Sequence, residues 1–190
     1  MSWYQRLLHG AWTGIRAHGW RHRDRLTGLG NRRQFELALR RQFDHCCELH
    51  KPLSLVHIEL DPLNPRDTAS GPPAGDRRLR QIAALLGEQV RRPGDLAARL
   101  GGDGFALVLP DTPREGAIHL VETLIGQVRR LAVAGSTDVP IPFSISVGLH
   151  TGIPDARSTA QQFSGRAKAA LHKAKIAGRD GYFADPVSAD

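Results

Sequence analysis

Hydrophobic positions recur along the chain with two different periods, and these periods predict alternating helices and strands. The run from Leu53 to Leu60 is short, mostly apolar and introduced by Pro52, which is typical of a strand. After Asn31 the apolar residues return every three or four positions, which predicts a helix that Asn31 caps and that ends near Leu49. The same reasoning predicts irregular chain from Asp61 to Gly75, a helix from Asp76 to Val90, strands Leu96–Leu100 and Phe105–Leu109, a helix from Pro113 to about Leu131, a strand Ile141–Leu149, a helix Ser158–Ala177 and a short edge strand at Tyr182–Phe183.

The order of these elements predicts the fold class. It reads α-β-α-β-β-α-β-α, followed by the short edge strand, and Gly101-Gly102-Asp103-Gly104 between two strands is typical of a tight hairpin turn. Helices segregated from a hairpin-rich sheet predict an α+β domain with a central, mostly antiparallel sheet flanked by helices, and not a parallel doubly wound one. We expect this domain over residues 23–185, preceded by a segment at 1–22 and followed by a tail at 186–190.

The first 22 residues predict a basic amphipathic helix, although glycines at positions 10, 14 and 19 weaken it. Such a segment can dock on a protein partner or on a second copy of the chain, pack on its own domain, or lie on an anionic membrane. Of these, membrane contact is the least favoured. The apolar side of the helix would consist of Trp3, Leu7, Ala11, Trp12 and Ile15.

Composition excludes several classes of protein. The chain has 190 residues, 41% of them hydrophobic and 24% charged, which is enough to bury a core without disulfides or metals. No apolar run approaches the ~18 residues of a membrane span, and residues 1–22 lack the apolar stretch of a secretory signal. Cys46 and Cys47 are adjacent and lack the spacing of metal ligands, so we expect reduced thiols and a cytoplasmic protein.

The positive charge is concentrated at one end of the chain. The formal net charge is +7, from 26 basic and 19 acidic residues. Residues 1–33 hold seven arginines and one acidic residue, Asp24, so this segment carries +6 and the rest of the chain only +1. A basic end does not predict nucleic-acid binding, which needs a basic face on the domain; it favours an acidic partner or a membrane surface.

Four segments in order resemble the signatures of one bacterial family, the GGDEF domains of diguanylate cyclases. The segments are Asp24–Arg33 (DRLTGLGNRR), Arg99–Phe105 (RLGGDGF), Ser144–Gly148 (SISVG) and Ala170–Arg179 (ALHKAKIAGR). The resemblance implies a fold related to nucleotidyl cyclases and polymerase palms. It also implies a reaction in which two facing domains, each holding one GTP, form cyclic di-GMP with the help of Mg²⁺.

The positions that would hold the metal ion are altered. The resemblance puts Glu59, Leu60 and Asp103 at the metal positions, with glutamate where the family has aspartate. The extra methylene moves the carboxylate outward by ~1.5 Å. Gly104 stands where the family has a glutamate, so no side chain is left there to bind a metal or accept a proton.

The positions that would hold GTP are partly kept. Pro62 has no N–H for the triphosphate, Asn64 replaces a lysine, Asp67 replaces the guanine-contacting asparagine, and Pro72 replaces a histidine. Asp76 matches a second guanine-contacting residue, or it caps the helix that follows. Lys175 and Arg179 match the triphosphate-binding pair, or they are ordinary cations of a helix C-terminus.

A second segment resembles another site of the family. Arg92-Pro93-Gly94-Asp95 has the spacing and position of the R-x-x-D inhibitory site, which binds cyclic di-GMP, although it can also be a turn with an exposed ion pair. Arginine can grip phosphate or the O6/N7 edge of guanine, and aspartate can accept from guanine N1–H. Three hypotheses follow: an inactive cyclic di-GMP receptor, a weak cyclase that uses Mg²⁺, or an interaction module without a nucleotide. The first is favoured.

Overall fold

The computed structural model describes residues 22–62, 71–133 and 143–186. The N-terminal helix predicted for residues 1–22 lies outside this part, apart from His22, and so do Asn64 and Asp67. The elements follow each other as α1 (Arg32–Leu49), β1 (Leu53–Leu60), α2 (Gly71–Gln89), β2 (Leu96–Gly101), β3 (Gly104–Pro110), α3 (Arg114–Val133), β4 (Ile145–Gly152), α4 (Ala160–Ile176) and β5 (Gly181–Ala184).

The predicted fold class is confirmed. One five-stranded sheet has the order β2-β3-β1-β4-β5. The strands β1, β2, β3 and β4 pair antiparallel with their neighbours, and β5 joins β4 in parallel. Within the described residues no helix is long and apolar enough to cross a membrane.

The sheet separates two hydrophobic clusters, and strand alternation assigns side chains to them. On β1, Val56 and Ile58 belong to the cluster under α2 and α3, whereas Leu53 and Leu55 belong to the cluster under α1 and α4. Because successive side chains on a strand point to opposite faces, Glu59 lies on the same face as Leu55, toward α4. This alternation explains why the charged side chain of Glu59, at the end of β1, faces α4.

Helix α4 lies unusually close to the sheet, and Gly148 makes this approach possible. A Cβ atom on Gly148 would lie 2.1 Å from the backbone nitrogen of Leu171 and 2.2 Å from the carbonyl oxygen of Ala167. No side chain fits at that distance, so the glycine sets how deeply α4 packs. The helix begins at a capping box, in which the side chain of Thr159 accepts from the backbone N–H of Gln162.

Two element boundaries differ from the prediction. Helix α2 begins at Gly71, so Asp76 lies inside the helix and is not its cap; the segment before Gly75 was wrongly predicted to be irregular throughout. Prolines at 72 and 73 are compatible with a first helical turn, because the N–H groups there have no acceptor within the helix.

Strand β4 lies further toward the C-terminus than the predicted Ile141–Leu149, of which residues 141 and 142 lie outside the described part of the chain. It begins at Ile145 and extends to Gly152, because it pairs with β1 along its whole length, from Leu60↔Ile145 to Leu53↔Gly152. The last part of β4 is polar yet buried, because its side chains have partners: Thr151 Oγ1 lies 2.7 Å from Ser54 Oγ.

Candidate functional site

A cleft opens where β1 ends beside the β2–β3 turn. Glu59 is directly opposite Gly104 in the β1–β3 register, and the backbone N–H of Leu60 donates to the carbonyl oxygen of Asp103 at 3.1 Å. The turn is therefore fixed against the end of β1. The cavity has a volume of about 480 Å³ and is lined by Arg32, His57, Ile58, Glu59, Leu100, Gly101, Asp103, Gly104, Phe105, Lys168, Leu171, His172 and Lys175.

The carboxylate of Glu59 is paired with a lysine. Its Oε1 lies 2.5 Å from Lys175 Nζ, and the two side chains are 41% and 26% exposed. The lysine comes from the last turn of α4, the helix that Gly148 lets approach the sheet. The group that sequence analysis placed at the metal position is thus already neutralised by a protein cation.

Neither the backbone conformation nor the space at position 104 requires a glycine. A Cβ atom there would meet only the carbonyl oxygen of Gly101, at 3.4 Å, so a longer side chain has room. The missing carboxylate is therefore a chemical difference that packing does not impose. It leaves Asp103, an exposed turn residue, as the carboxylate across the cleft from Glu59.

These residues do not form a complete Mg²⁺ site by themselves. Magnesium prefers several oxygen ligands in octahedral geometry. In the described part of the chain, no three His, Cys, Asp or Glu side chains lie together as metal ligands. Leu60 would offer only its backbone carbonyl, since its side chain is buried in the core, and Glu59 faces Lys175.

The floor of the cleft carries a buried histidine that sequence analysis passed over. His57 is 3% exposed, and its Nε2 lies 3.1 Å from Ser164 Oγ on α4. Burial, with the positive charges of Lys168 and Arg32 nearby, lowers the pKa of His57 to about 4. The imidazole is therefore neutral at physiological pH, and two cations stand close to the cleft floor.

The R-x-x-D segment forms a tight turn before β2. Asp95 N–H donates to the carbonyl oxygen of Arg92 at 3.1 Å, and Gly94 takes a left-handed φ of +98°. The carboxylate of Asp95 accepts from the Arg92 backbone N–H at 3.2 Å, and its side chain is 3% exposed. The glycine also lets the turn pack on α1, because a Cβ there would come within 3.2 Å of Gln42 Nε2.

The guanidinium of Arg92 folds back over this turn. It lies 3.4 Å from both oxygens of Asp95 and from the carbonyl oxygen of Pro110, and it also contacts Thr112 Oγ1. The Arg92 side chain remains 53% exposed. Beside it is a cavity of about 200 Å³, lined by Gln42, His45, Cys46, Leu49, Lys51, Arg92, Pro93, Pro110 and Asp111.

Comparison with known proteins identifies the family of this chain. Residues 21–181 match the family described as diguanylate cyclase, GGDEF domain. The chain belongs to the GGDEF family.

Among curated GGDEF relatives, diguanylate cyclase DgcM of Escherichia coli is 34% identical over 163 residues, which cover 84% of this chain and 37% of DgcM. Probable diguanylate cyclase DgcC of E. coli is 30% identical over 158 residues, or 83% of this chain and 42% of DgcC. The chain thus spans well under half the length of these two relatives.

Solved GGDEF structures share the fold. Diguanylate cyclase SiaD of Pseudomonas aeruginosa, in complex with its activator SiaC, superposes with a TM-score of 0.80 at 31% identity, covering 95% of this chain and 67% of SiaD. The GGDEF domain of DgcB from Caulobacter crescentus, in complex with c-di-GMP, gives a TM-score of 0.78 at 25% identity and covers 86% and 95% of the two chains.

The cleft of this GGDEF domain gathers some of the residues that sequence analysis selected and leaves out others. It brings together Glu59, Asp103, Gly104 and Lys175. Asp76 is not in its lining; this carboxylate lies 3.9 Å from Arg80 on the exposed face of α2. Arg179 is also absent from the lining and sits in the turn after α4 with a φ of +65°.

Asp61 was not selected as a site residue by sequence analysis, yet it organises this end of the sheet. Its carboxylate is buried and accepts from Ser144 Oγ and Ser146 Oγ, each at 2.6 Å, and from the backbone N–H of Asp180 at 3.1 Å. It thereby ties the turn that carries Arg179 to the end of β1. The two serines, one immediately before β4 and one within it, are the sequence signal that could have revealed it.

Proposed function

We propose that this GGDEF domain binds cyclic di-GMP at Arg92 and Asp95 and does not synthesise it. The proposal combines a degenerate catalytic cleft with an intact turn at the other end of the β2–β3 hairpin. The observation that carries it is the ion pair between Glu59 and Lys175, because it leaves Asp103 as the cleft's one unpaired carboxylate among the described residues.

Loss of cyclase activity follows from what that chemistry requires. Phosphoryl transfer of this kind depends on metal ions that neutralise charge and align the reacting oxygens. A displacement of ~1 Å at such a site can cost ~100-fold in rate. Here one carboxylate is longer and paired with lysine, another is replaced by Gly104, and Pro62 removes a backbone donor.

Binding at the turn follows from the groups that Arg92 and Asp95 present. An arginine donates paired N–H groups to guanine O6 and N7, and a carboxylate accepts from guanine N1–H and its amino group. The 3.4 Å contacts between Arg92 and Asp95 are long, so little stability is lost when they are exchanged. In this proposal guanine displaces Arg92 from Asp95 and from Thr112 Oγ1, and the outward swing of the arginine uncovers the carboxylate of Asp95. The binding of c-di-GMP by DgcB, a structural neighbour, supports this proposal.

Calorimetric titration of the whole chain with cyclic di-GMP tests the site. Arg92→Ala should weaken binding more than tenfold, equivalent to ~1.5–3 kcal/mol, because it removes charge-assisted hydrogen bonds. Arg91→Ala is the matched control, since Arg91 is exposed next door and its Nε donates to the carbonyl oxygen of Glu88. Its affinity should equal that of the wild type.

Two results would contradict the proposal. If Arg92→Ala and Arg91→Ala bind equally well, the ligand sits elsewhere. If the wild-type chain does not bind cyclic di-GMP at all, the third hypothesis, an interaction module without a nucleotide, takes precedence.

A further inference from the structure

The cleft contains more cations than its two carboxylates neutralise. Arg32 at the start of α1 and Lys168 and Lys175 on α4 all line it, against Glu59 and Asp103. Lys175 is engaged with Glu59, whereas none of the described acidic side chains pairs with Lys168. A cleft of about 480 Å³ with this lining is within the usual size range of small-ligand sites and favours an anion.

Two of these cations lie near His57, the buried residue on the cleft floor. Lys168 and Arg32 both lie close enough to His57 to help depress its pKa. Arg32 is also fixed in place, because its Nη2 donates to the carbonyl oxygen of Leu100 at 2.6 Å. The positive charge is therefore directed into the cavity from two different elements, α1 and α4.

Lys175 occupies the position where a metal ion would neutralise Glu59. Its ammonium lies 2.5 Å from the carboxylate, which is a charge-assisted contact at ligand distance. A divalent ion at Glu59 would have to compete with this lysine, and because Gly104 has no side chain it would gain no third carboxylate in return.

We infer that the cleft binds a phosphorylated ligand without a divalent metal ion, with Lys175 neutralising Glu59 in the metal's place and Lys168 and Arg32 receiving the phosphate. This inference extends the proposed function. It rests on one part of that proposal, namely that the cleft is a binding site and not a catalytic one. The ligand class is a polyphosphate or a nucleotide that carries one.

The first test is titration of the whole chain with inorganic tripolyphosphate in EDTA. The wild type should bind, and Lys168→Gln should weaken binding about fivefold or more, as expected for the loss of one phosphate contact. Lys173→Gln is the matched control, because Lys173 lies on the same helix but over the ring of Phe183 and outside the cleft lining. GTP titrated in the same buffer shows whether a base adds affinity.

Binding that appears only when Mg²⁺ is added would overturn the inference. So would equal weakening by Lys168→Gln and Lys173→Gln, because that pattern means general charge attraction and not a site. GTP binding tighter than tripolyphosphate would support a nucleotide, and equal binding would support a polyphosphate alone.

The second test asks whether lysine excludes the metal. Mn²⁺ binding, followed by the paramagnetic signal of the free ion, should be about fivefold tighter in Lys175→Met than in the wild type, since an adjacent positive charge is removed. Adding Glu59→Gln to that variant should abolish the gain. Equal Mn²⁺ affinity in wild type and Lys175→Met would overturn the inference. Equal affinity, together with no product formed from GTP, would overturn the inference while leaving the proposed function intact.

Discussion

The two ends of the β2–β3 hairpin carry different chemistry on one scaffold. At the turn end, Gly104 faces a glutamate that is paired with Lys175; at the other end, Arg92 and Asp95 share a tight turn against Pro110. Six residue steps along β3, or ~20 Å, separate them. Strand β3, which joins the two ends, is buried along nearly its whole length. The proposal of a binding domain without cyclase activity therefore rests on the difference between the two ends of one hairpin.

The largest effect on stability is expected at Gly148, where α4 packs against the sheet that carries both ends of the hairpin. Gly148→Ala places a methyl group 2.1 Å from the backbone of Leu171, so α4 has to move away from the sheet. We expect a loss of more than ~3 kcal/mol, enough to populate the unfolded state. Thermal unfolding checks this against Gly165→Ala, an exposed glycine of α4 where an added methyl group would have nothing within 4 Å, which should be neutral or slightly stabilising. Equal melting temperatures for the two variants would show that the packing of α4 does not depend on Gly148.

Asp61→Ala should damage one end and spare the other. It removes the acceptor for two serine hydroxyls and the Asp180 N–H, so we expect a loss of ~3 kcal/mol in unfolding free energy. Affinity for cyclic di-GMP, measured at a temperature where the variant is folded, should be unchanged. Asp76→Ala is the control and should change stability by less than ~0.5 kcal/mol, because its contact with Arg80 is exposed. A variant as stable as the control would show that Asp61 does not hold this end together.

Acid should destabilise the protein through His57. Its folded pKa, lowered to about 4 by burial and by Lys168 and Arg32, lies below the ordinary value of 6.5. The unfolded chain therefore takes up this proton first: the contribution is complete above pH 6.5, declines as pH falls, and levels off below about 4. At pH 5 the loss is ~2 kcal/mol. Urea unfolding at pH 8 and pH 5 should show a larger acid loss for wild type than for His57→Leu, and parallel losses would contradict this.

Sequence reasoning succeeded where a local pattern decides the structure. The apolar run Leu53–Leu60, the cap at Asn31 and the glycines of the hairpin each act over a few residues, and each was confirmed. It failed where partners far away in the sequence decide the structure. Strand β4 continues through the buried polar residues His150 and Thr151 because they form hydrogen bonds with Asp185 and Ser54. The start of α2 was missed because proline ends helices in most positions but is tolerated in the first turn.

The site was predictable to a similar extent. The motif positions identified Glu59, Asp103 and Lys175 as neighbours, and the structure brings them into one cleft. The positions could not indicate that lysine and glutamate would pair, because that contact depends on the depth to which α4 packs. Nor could they place Arg32 and Lys168 in the same cavity, since these residues come from helices at opposite ends of the chain.

The most direct test of the central claim is a turnover assay with GTP and either Mg²⁺ or Mn²⁺. We expect no accumulation of cyclic di-GMP from the wild-type chain, and none from Gly104→Glu alone, because Glu59 remains paired with Lys175 and Pro62 still lacks its N–H. The same preparations should bind cyclic di-GMP, which shows that they are folded. Product formed by the wild type at ordinary enzymatic rates of ~1 s⁻¹ would contradict the account, since the cleft would then be catalytic.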